Sequence, residues 1–333
     1  MQAVFRTRGS RRPTAFAGGL WYTMGCGIDG GVERRWRGMT AEGLDGFAYE
    51  PACAHESEAA RRHYWAVAIG LQAVDGLEVS PYVRRVADDY IAGARTLAET
   101  GELVRAHHAA GHDEASLEAD LVGQRIAELL AASPFCLAPE MLPEIHRYLF
   151  QDLDAAVYHP GEFKTERMVK QEDILNGDSV LYADPLAYEM ALKGVFATEQ
   201  AKSYGALAKD ELAGFCHSIA FIWQIHPFYE GNTRTVAVFS ALYLNQLGFD
   251  VSNEPFEHHA RYFRDALVRA MYRNVPAGVF PDESFLVKFY ESLIGRGPAS
   301  FDREELICLP LFENPALLRN VDPAEALDTS KLA

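Results

Sequence analysis

From residue 57 to residue 295 apolar residues recur at the three- and four-residue spacing of amphipathic helices, and the pattern breaks once. In 57–74 the apolar set is Tyr64, Val67, Ala68, Leu71 and Val74, and Asp75-Gly76 stops it. Ser80-Pro81 has the form of an N-cap followed by proline at the first helical position, opening a second helix. The same spacing predicts helices over 115–132, 139–154, 185–205, 209–226, 233–247, 257–273 and 283–295. The break falls at 162–185, where Asn176-Gly177 separates two runs rich in Val, Ile, Leu and Tyr, the signal of a β-hairpin. A lone hairpin is marginal by itself, so it must pack on the helices or receive a further strand. The chain is therefore mostly α, and beyond Gly297, with four prolines, it reads as an irregular C-terminal tail over 298–333.

Charge limits the partners. The net charge is -16, but residues 1–37 carry seven arginines against Asp29 and Glu33, so that piece is +5 and the rest is -21. A body so acidic repels nucleic-acid polymers, and any phosphate site must be built locally. The five cysteines, Cys26, Cys53, Cys136, Cys216 and Cys308, are scattered without metal-ligand spacing, which predicts neither disulfide nor structural zinc and fits a cytoplasmic protein. No apolar run reaches the roughly 20 residues of a membrane span. SRRPTAF (10–16) and the following AFAGGLWYTMGCGI loosely imitate an export signal. Glycines, Pro13 and the arginines at 34, 35 and 37 spoil the imitation, so 1–55 is read as a disordered or mis-called leader.

The richest chemistry lies in IWQIHPFYEGNTRT (222–235). Leu212, Phe215, Ile219, Ile222 and Trp223 form one apolar helix face, so His226 stands at the end of a buried helix. Pro227 prevents simple continuation, Phe228 is an inward anchor, and a helix restarts near Thr233. The unpaired first-turn N–H groups of that second helix, reached over Gly231-Asn232, form an anion site. Arg234 can fork onto phosphate oxygens, Glu230 can ligate a magnesium ion bound to them, and His226 can take a proton from an attacking hydroxyl.

This stretch resembles the signature of the Fic/Doc (fido) family, His-x-Phe-x-Asp/Glu-Gly-Asn-Gly-Arg-x-x-Arg, at His226, Phe228, Glu230, Gly231, Asn232 and Arg234. KQEDILNGDSVLYADP resembles that family's β-hairpin flap, and YFRDALVRAMY (262–272) its later helix. The resemblance implies a Fic-type helical bundle with a single β-hairpin flap, the catalytic domain spanning 113–297. It implies His226 as general base, Glu230 as ligand of Mg2+ (or Mn2+), and Gly231, Asn232, Thr233 and Arg234 as phosphate contacts. The flap residues Val169, Lys170, Ser179, Val180 and Leu181 would dock a target protein as an added strand. The implied reaction moves AMP from ATP, the co-substrate, to a Ser, Thr or Tyr hydroxyl of a target protein. The alternatives are a Doc-like kinase and a low-activity toxin–antitoxin or partner-binding protein regulated by nucleotide. Neither nucleic-acid polymer nor membrane is an expected partner, and a homodimer is allowed. The chain departs from the signature at Thr233, where a second glycine is usual, and at Ala237, where the last arginine belongs.

Residues 56–112 resemble the small antitoxin module that silences some Fic enzymes, with Leu71 and Asp75-Gly76 aligned to its Ser/Thr and Glu-Gly/Asn. With Ala237 in place of the usual partner, weak residual inhibition is expected. Asp75 either faces Arg234 or merely ends its helix. Three further features invite bland readings. His107, His108 and His112 cluster without a framing carboxylate, Arg261, Arg264, Arg269 and Arg273 read mainly as solvated, with Arg261 or Arg264 within reach of nucleotide, and Tyr182 reads as an exposed strand residue.

Overall fold

The computed structural model describes residues 56–298, 300–319 and 321, so the expected leader over 1–55, with Cys26 and Cys53, lies outside the described residues. Ser57 caps the first helix, α1 (Glu58–Gly70), by accepting the Ala60 N–H on Oγ at 3.1 Å. After Gly70 the chain tightens into a 3-10 turn, Leu71–Asp75, closed by Gly76 in the left-handed region at φ 73°. The sequence predicts a continuous helix here, and the tighter turn leaves Asp75 at its end. The helices α2 (Pro81–Ile91), α3 (Leu97–Ala109) and α4 (Leu117–Ala132) follow. Ser80 caps α2 as expected, while its own N–H donates to the buried Asp120 Oδ1 at 2.7 Å. Helix α3 was not expected from apolar spacing, although Thr96 and Glu99 form a reciprocal capping box that announces it.

Next come α5 (Met141–Phe150), the single turn α6 (Ala155–Tyr158), and the hairpin strands β1 (Val169–Gln171) and β2 (Ser179–Leu181). The strands pair antiparallel with Lys170 opposite Val180. Asn176 and Gly177 do form the reversal, both at positive φ, but a 3-10 turn (Asp173–Leu175) precedes them, so the connection is longer than a two-residue hairpin. Helices α7 (Tyr188–Gln200), α8 (Lys209–Ile225), α9 (Asn232–Gln246), α10 (Glu254–Met271) and α11 (Ser284–Leu293) complete the bundle. Among the described residues none forms a helix long and apolar enough to cross a membrane.

Residues 232–244 of α9 are all buried, so α9 is the central helix and its polar first turn lies inside the protein. Around it, α1 packs along α4 and α10, and α10 packs on α8 and α11. Gly70 permits the crossing of α1 and α10, because a Cβ there would lie 2.3 Å from the Phe256 carbonyl oxygen. The described residues belong to one compact unit, so the expected boundary near residue 112 is no break in packing. The segment expected to be an irregular tail is also structured. It holds the short helix α12 (Leu309–Glu313) between two 3-10 turns, and it is tied to the hairpin: the Cys308 N–H donates to the Ile174 carbonyl at 2.8 Å and Asn176 Nδ2 to the Leu311 carbonyl at 3.0 Å.

Candidate active site

Helix α8 ends on His226, which takes the left-handed conformation at φ 52°, ψ 56°, uncommon for a residue with a Cβ. Lys164 holds it there. This buried side chain donates from Nζ to the His226 carbonyl, and its own N–H donates to the Pro227 carbonyl at 2.8 Å. Burial, reinforced by Lys170, pushes the Lys164 ammonium down to about 7. The His226 imidazole stacks on Tyr182 with ring centroids 3.7 Å apart, and neither of its nitrogens has a hydrogen-bond partner among the described residues. Burial holds it well below the usual histidine range, with Lys164 and Lys170 pushing the same way. A neutral imidazole with an open lone pair is the state a general base requires. Tyr182 is thus not an exposed strand residue: its hydroxyl is buried and has no partner among the described residues, and its pKa is raised, chiefly by burial.

The connection to α9 is held from several sides. Asn232 spends its side chain on the loop, accepting the Phe228 N–H at 3.0 Å and donating to the Phe228 carbonyl at 2.8 Å. Thr233 Oγ1 accepts the Trp223 indole N–H at 3.0 Å, so both side chains are engaged within the protein. His146, on α5, lies flat on Phe228 at 3.9 Å and donates from Nε2 to the Glu230 carbonyl at 3.0 Å, while its Nδ1 accepts the Gly161 N–H. These bonds define a neutral tautomer, and burial lowers its pKa to about 3. Gly231 sits at φ 72°, and a Cβ on it would lie 2.0 Å from Phe150 Cζ. Glycine is needed here to pass an aromatic ring, a reason additional to ligand approach.

Arg234 is the largest departure from expectation. Its side chain is 1% exposed and lies in an ion pair of 2.9 Å between Nε and Asp75 Oδ2. Nη2 pairs with Glu118 on α4 and Nη1 donates to Gln72 Oε1 at 3.2 Å, while the guanidinium lies over the Phe150 ring. Asp75 therefore faces Arg234 and does more than end a helix. Glu118 is a second acid on the same arginine, with no local signal in the sequence.

A narrow cleft with an interior volume of only about 10 Å³, room for roughly one water molecule, opens in front of the histidine. His226, Tyr182, Trp223 and residues 231–233 line it together with Asp75, Lys170 and Arg264, and Arg234 does not. That volume lies far below the range usual for a small-ligand site, which runs from roughly 300 to 1,000 Å³, so a nucleotide enters only if the groups around the cleft move. Glu230 is half exposed and pairs with Lys170 at 3.6 Å. No group of three metal-ligating side chains exists among the described residues, so a divalent ion here would depend on Glu230 and on ligand oxygens. That mode suits magnesium, which commonly binds through one or two carboxylates and phosphate.

In the hairpin, Val169 and Lys170 on β1 are half-buried, and the backbone of 169–171 has no partner outside the hairpin among the described residues. The strand β2 is covered: Ser179 and Val180 are buried, the Ser179 carbonyl accepts Arg319 Nη2 at 3.1 Å, and the Leu181 carbonyl accepts Gln224 Nε2. Among the described residues, only the β1 edge is open to an added strand. The histidine cluster makes no metal centre. His107 pairs with Asp113 at 2.8 Å and His108 with the buried Asp120 at 2.9 Å, so carboxylates do frame it, each on one imidazole.

Residues 136–244 match the model of the Fic/DOC family. No curated protein matches the chain. The matched residues include the flap, His226 and Arg234, whereas Gln72, Asp75, Glu118 and Arg264 lie outside them.

Proposed function

We propose that this chain, whose residues 136–244 match the Fic/DOC family, is a protein adenylyltransferase of the Fic branch. The observation that carries the reading is His226: neutral, buried, with no side-chain hydrogen bond to its ring among the described residues, and beside the first turn of α9. The hydroxyl oxygen of a target Ser, Thr or Tyr forms a bond to the α-phosphorus of ATP. The bond from that phosphorus to the bridging oxygen breaks, its electron pair leaves with pyrophosphate, and the hydroxyl proton passes to His226. The α9 N-terminus stabilises the charge on the phosphoryl oxygens, and Lys164 keeps His226 in its left-handed conformation. Glu230 would hold a magnesium ion, which when bound supplies positive charge at the phosphates. The target backbone would pair with β1, bringing its hydroxyl toward His226.

The N-terminal helices act here as a brake. Asp75 and Gln72, both in the 3-10 turn after α1, engage Arg234 together with Glu118, so phosphate gains that arginine only by displacing carboxylate. The narrow cleft and the engaged arginine favour low basal activity, the trait of a protein whose nucleotide chiefly regulates association. The deciding experiment is intact mass spectrometry after incubation with ATP and magnesium, beside His226→Asn. Asparagine tolerates the left-handed conformation, so this variant removes the base and spares the backbone. A gain of one AMP per chain, lost in the variant, supports adenylylation. A gain of one phosphate instead establishes the kinase alternative, and nucleotide binding without either product favours the regulatory reading.

A further inference from the structure

The three phosphates of ATP need cationic partners, yet Arg234 turns away from the cleft and is buried among acids. Position 237, one turn further along α9, is a fully buried alanine that offers no cation. Two cations do line the cleft, Lys170 and Arg264. Lys170 is already beside Glu230, on the flap side. Arg264 reaches the cleft from α10 and shares it with Asp75 and residues 231–233. Its side chain is 26% exposed, so it is anchored without being enclosed.

Its anchoring is specific. Nη2 donates to Glu172 Oε1, just after β1, at 2.9 Å, and Nη1 donates to the Val74 carbonyl at 3.2 Å. A guanidinium carries five N–H donors in a planar fork, so these bonds leave donors for a ligand. Burial works against the Arg264 charge, and the carboxylates of Glu172 and Asp75 overcome it. Asp75 thus sits between two guanidiniums, Arg234 and Arg264, at a place where a polyanion would replace it.

We propose that Arg264 is the cationic ligand of the nucleotide's β and γ phosphates in this protein, a role supplied from α10 because α9 has no second arginine. The same 3-10 turn restrains both arginines: Asp75 and Gln72 hold Arg234, and the Val74 carbonyl holds Arg264. One movement of Leu71–Asp75 would release both together. This rests on the nucleotide reading given above and adds the residue that distinguishes a triphosphate from a monophosphate.

The test compares ATP and AMP, each with magnesium, by calorimetric titration of the full chain. Asp75→Asn serves as background, since it removes the competing carboxylate. Arg264→Gln is combined with Glu172→Gln so that no buried acid is stranded, and Glu172→Gln alone is the control. Loss of a charge-assisted contact weakens ATP binding roughly ten- to hundredfold and leaves AMP binding within about twofold. If the paired variant loses its melting transition, Arg264→Lys, which keeps the charge, takes its place and loses roughly tenfold for ATP by giving up the planar fork. Unchanged ATP affinity, or equal losses for ATP and AMP, overturns the role of Arg264 and leaves the adenylyltransferase reading intact. If the Asp75→Asn chain binds no ATP, the nucleotide reading falls and this inference falls with it.

Discussion

Asp75 and Arg234 meet as an ion pair of 2.9 Å, one from the turn after α1 and the other from the first turn of α9, and Glu118 closes on the same guanidinium from α4. A buried arginine held by two acids has a consequence for substitution. Removing either acid leaves one partner, so Asp75→Asn or Glu118→Gln leaves the fold stable and speeds auto-modification by roughly five- to thirtyfold, equivalent to about 1–2 kcal/mol of coupling. Removing both strands the charge and costs about 3–5 kcal/mol, read from urea unfolding, with ATP restoring much of the loss. Equal auto-modification rates for the parent and both single variants would show that neither acid restrains the site.

Gly231→Ala tests the passage of the loop past Phe150. The φ of 72° disfavours alanine, and the new Cβ meets the ring at 2.0 Å. Together these cost about 2–4 kcal/mol, seen as a lower melting temperature, and Phe150→Leu in the same chain recovers part of it. A Gly231→Ala chain that melts with the parent would contradict the contact.

His146 gives the protein a pH dependence with a definite sign. Its folded pKa of about 3 lies below the ordinary value of 6.5, so between them the unfolded chain binds a proton that the folded chain refuses. Stability is therefore intact above pH 6.5 and falls as pH drops below it, at up to about 1.4 kcal/mol per pH unit from this residue. Urea midpoints measured from pH 7.5 to pH 5 should fall more steeply in the parent than in His146→Gln, and matching slopes would exclude the effect.

Tyr182 should matter as a ring and not as a hydroxyl. Its ring stacks on His226 and its buried hydroxyl has no partner among the described residues. Tyr182→Phe keeps the stack, is neutral or stabilising by about 1 kcal/mol, and leaves transfer near the parent rate. Tyr182→Leu removes the stack and loosens His226, which appears as a fall in kcat. A Phe variant as inactive as the Leu variant would assign the hydroxyl a direct role.

The loop from His226 to Arg234 is legible in the amino-acid sequence because its rules are local. A proline after a buried helix, a glycine at positive φ and the free N–H groups of the next helix act within a few residues, and the sequence determined them along with most helices and the one hairpin. The unexpected α3 is locally marked as well, by Thr96 and Glu99. Three-dimensional packing alone decided which side chains that loop meets. Glu118, His146 and Phe150 are far from the loop in the chain, and nothing in their own neighbourhoods marks them; Asp75 and Arg264 are marked as candidates, but the sequence leaves open whether they reach the loop. Arg234 turned from cleft to interior because α1, α4 and α9 pack together and bring two carboxylates within reach of its guanidinium, while α10 places Arg264 in front. Local backbone preference is settled by neighbours in the chain, but a charge pairs with whatever the fold brings to within a few ångströms, and that depends on how the helices pack.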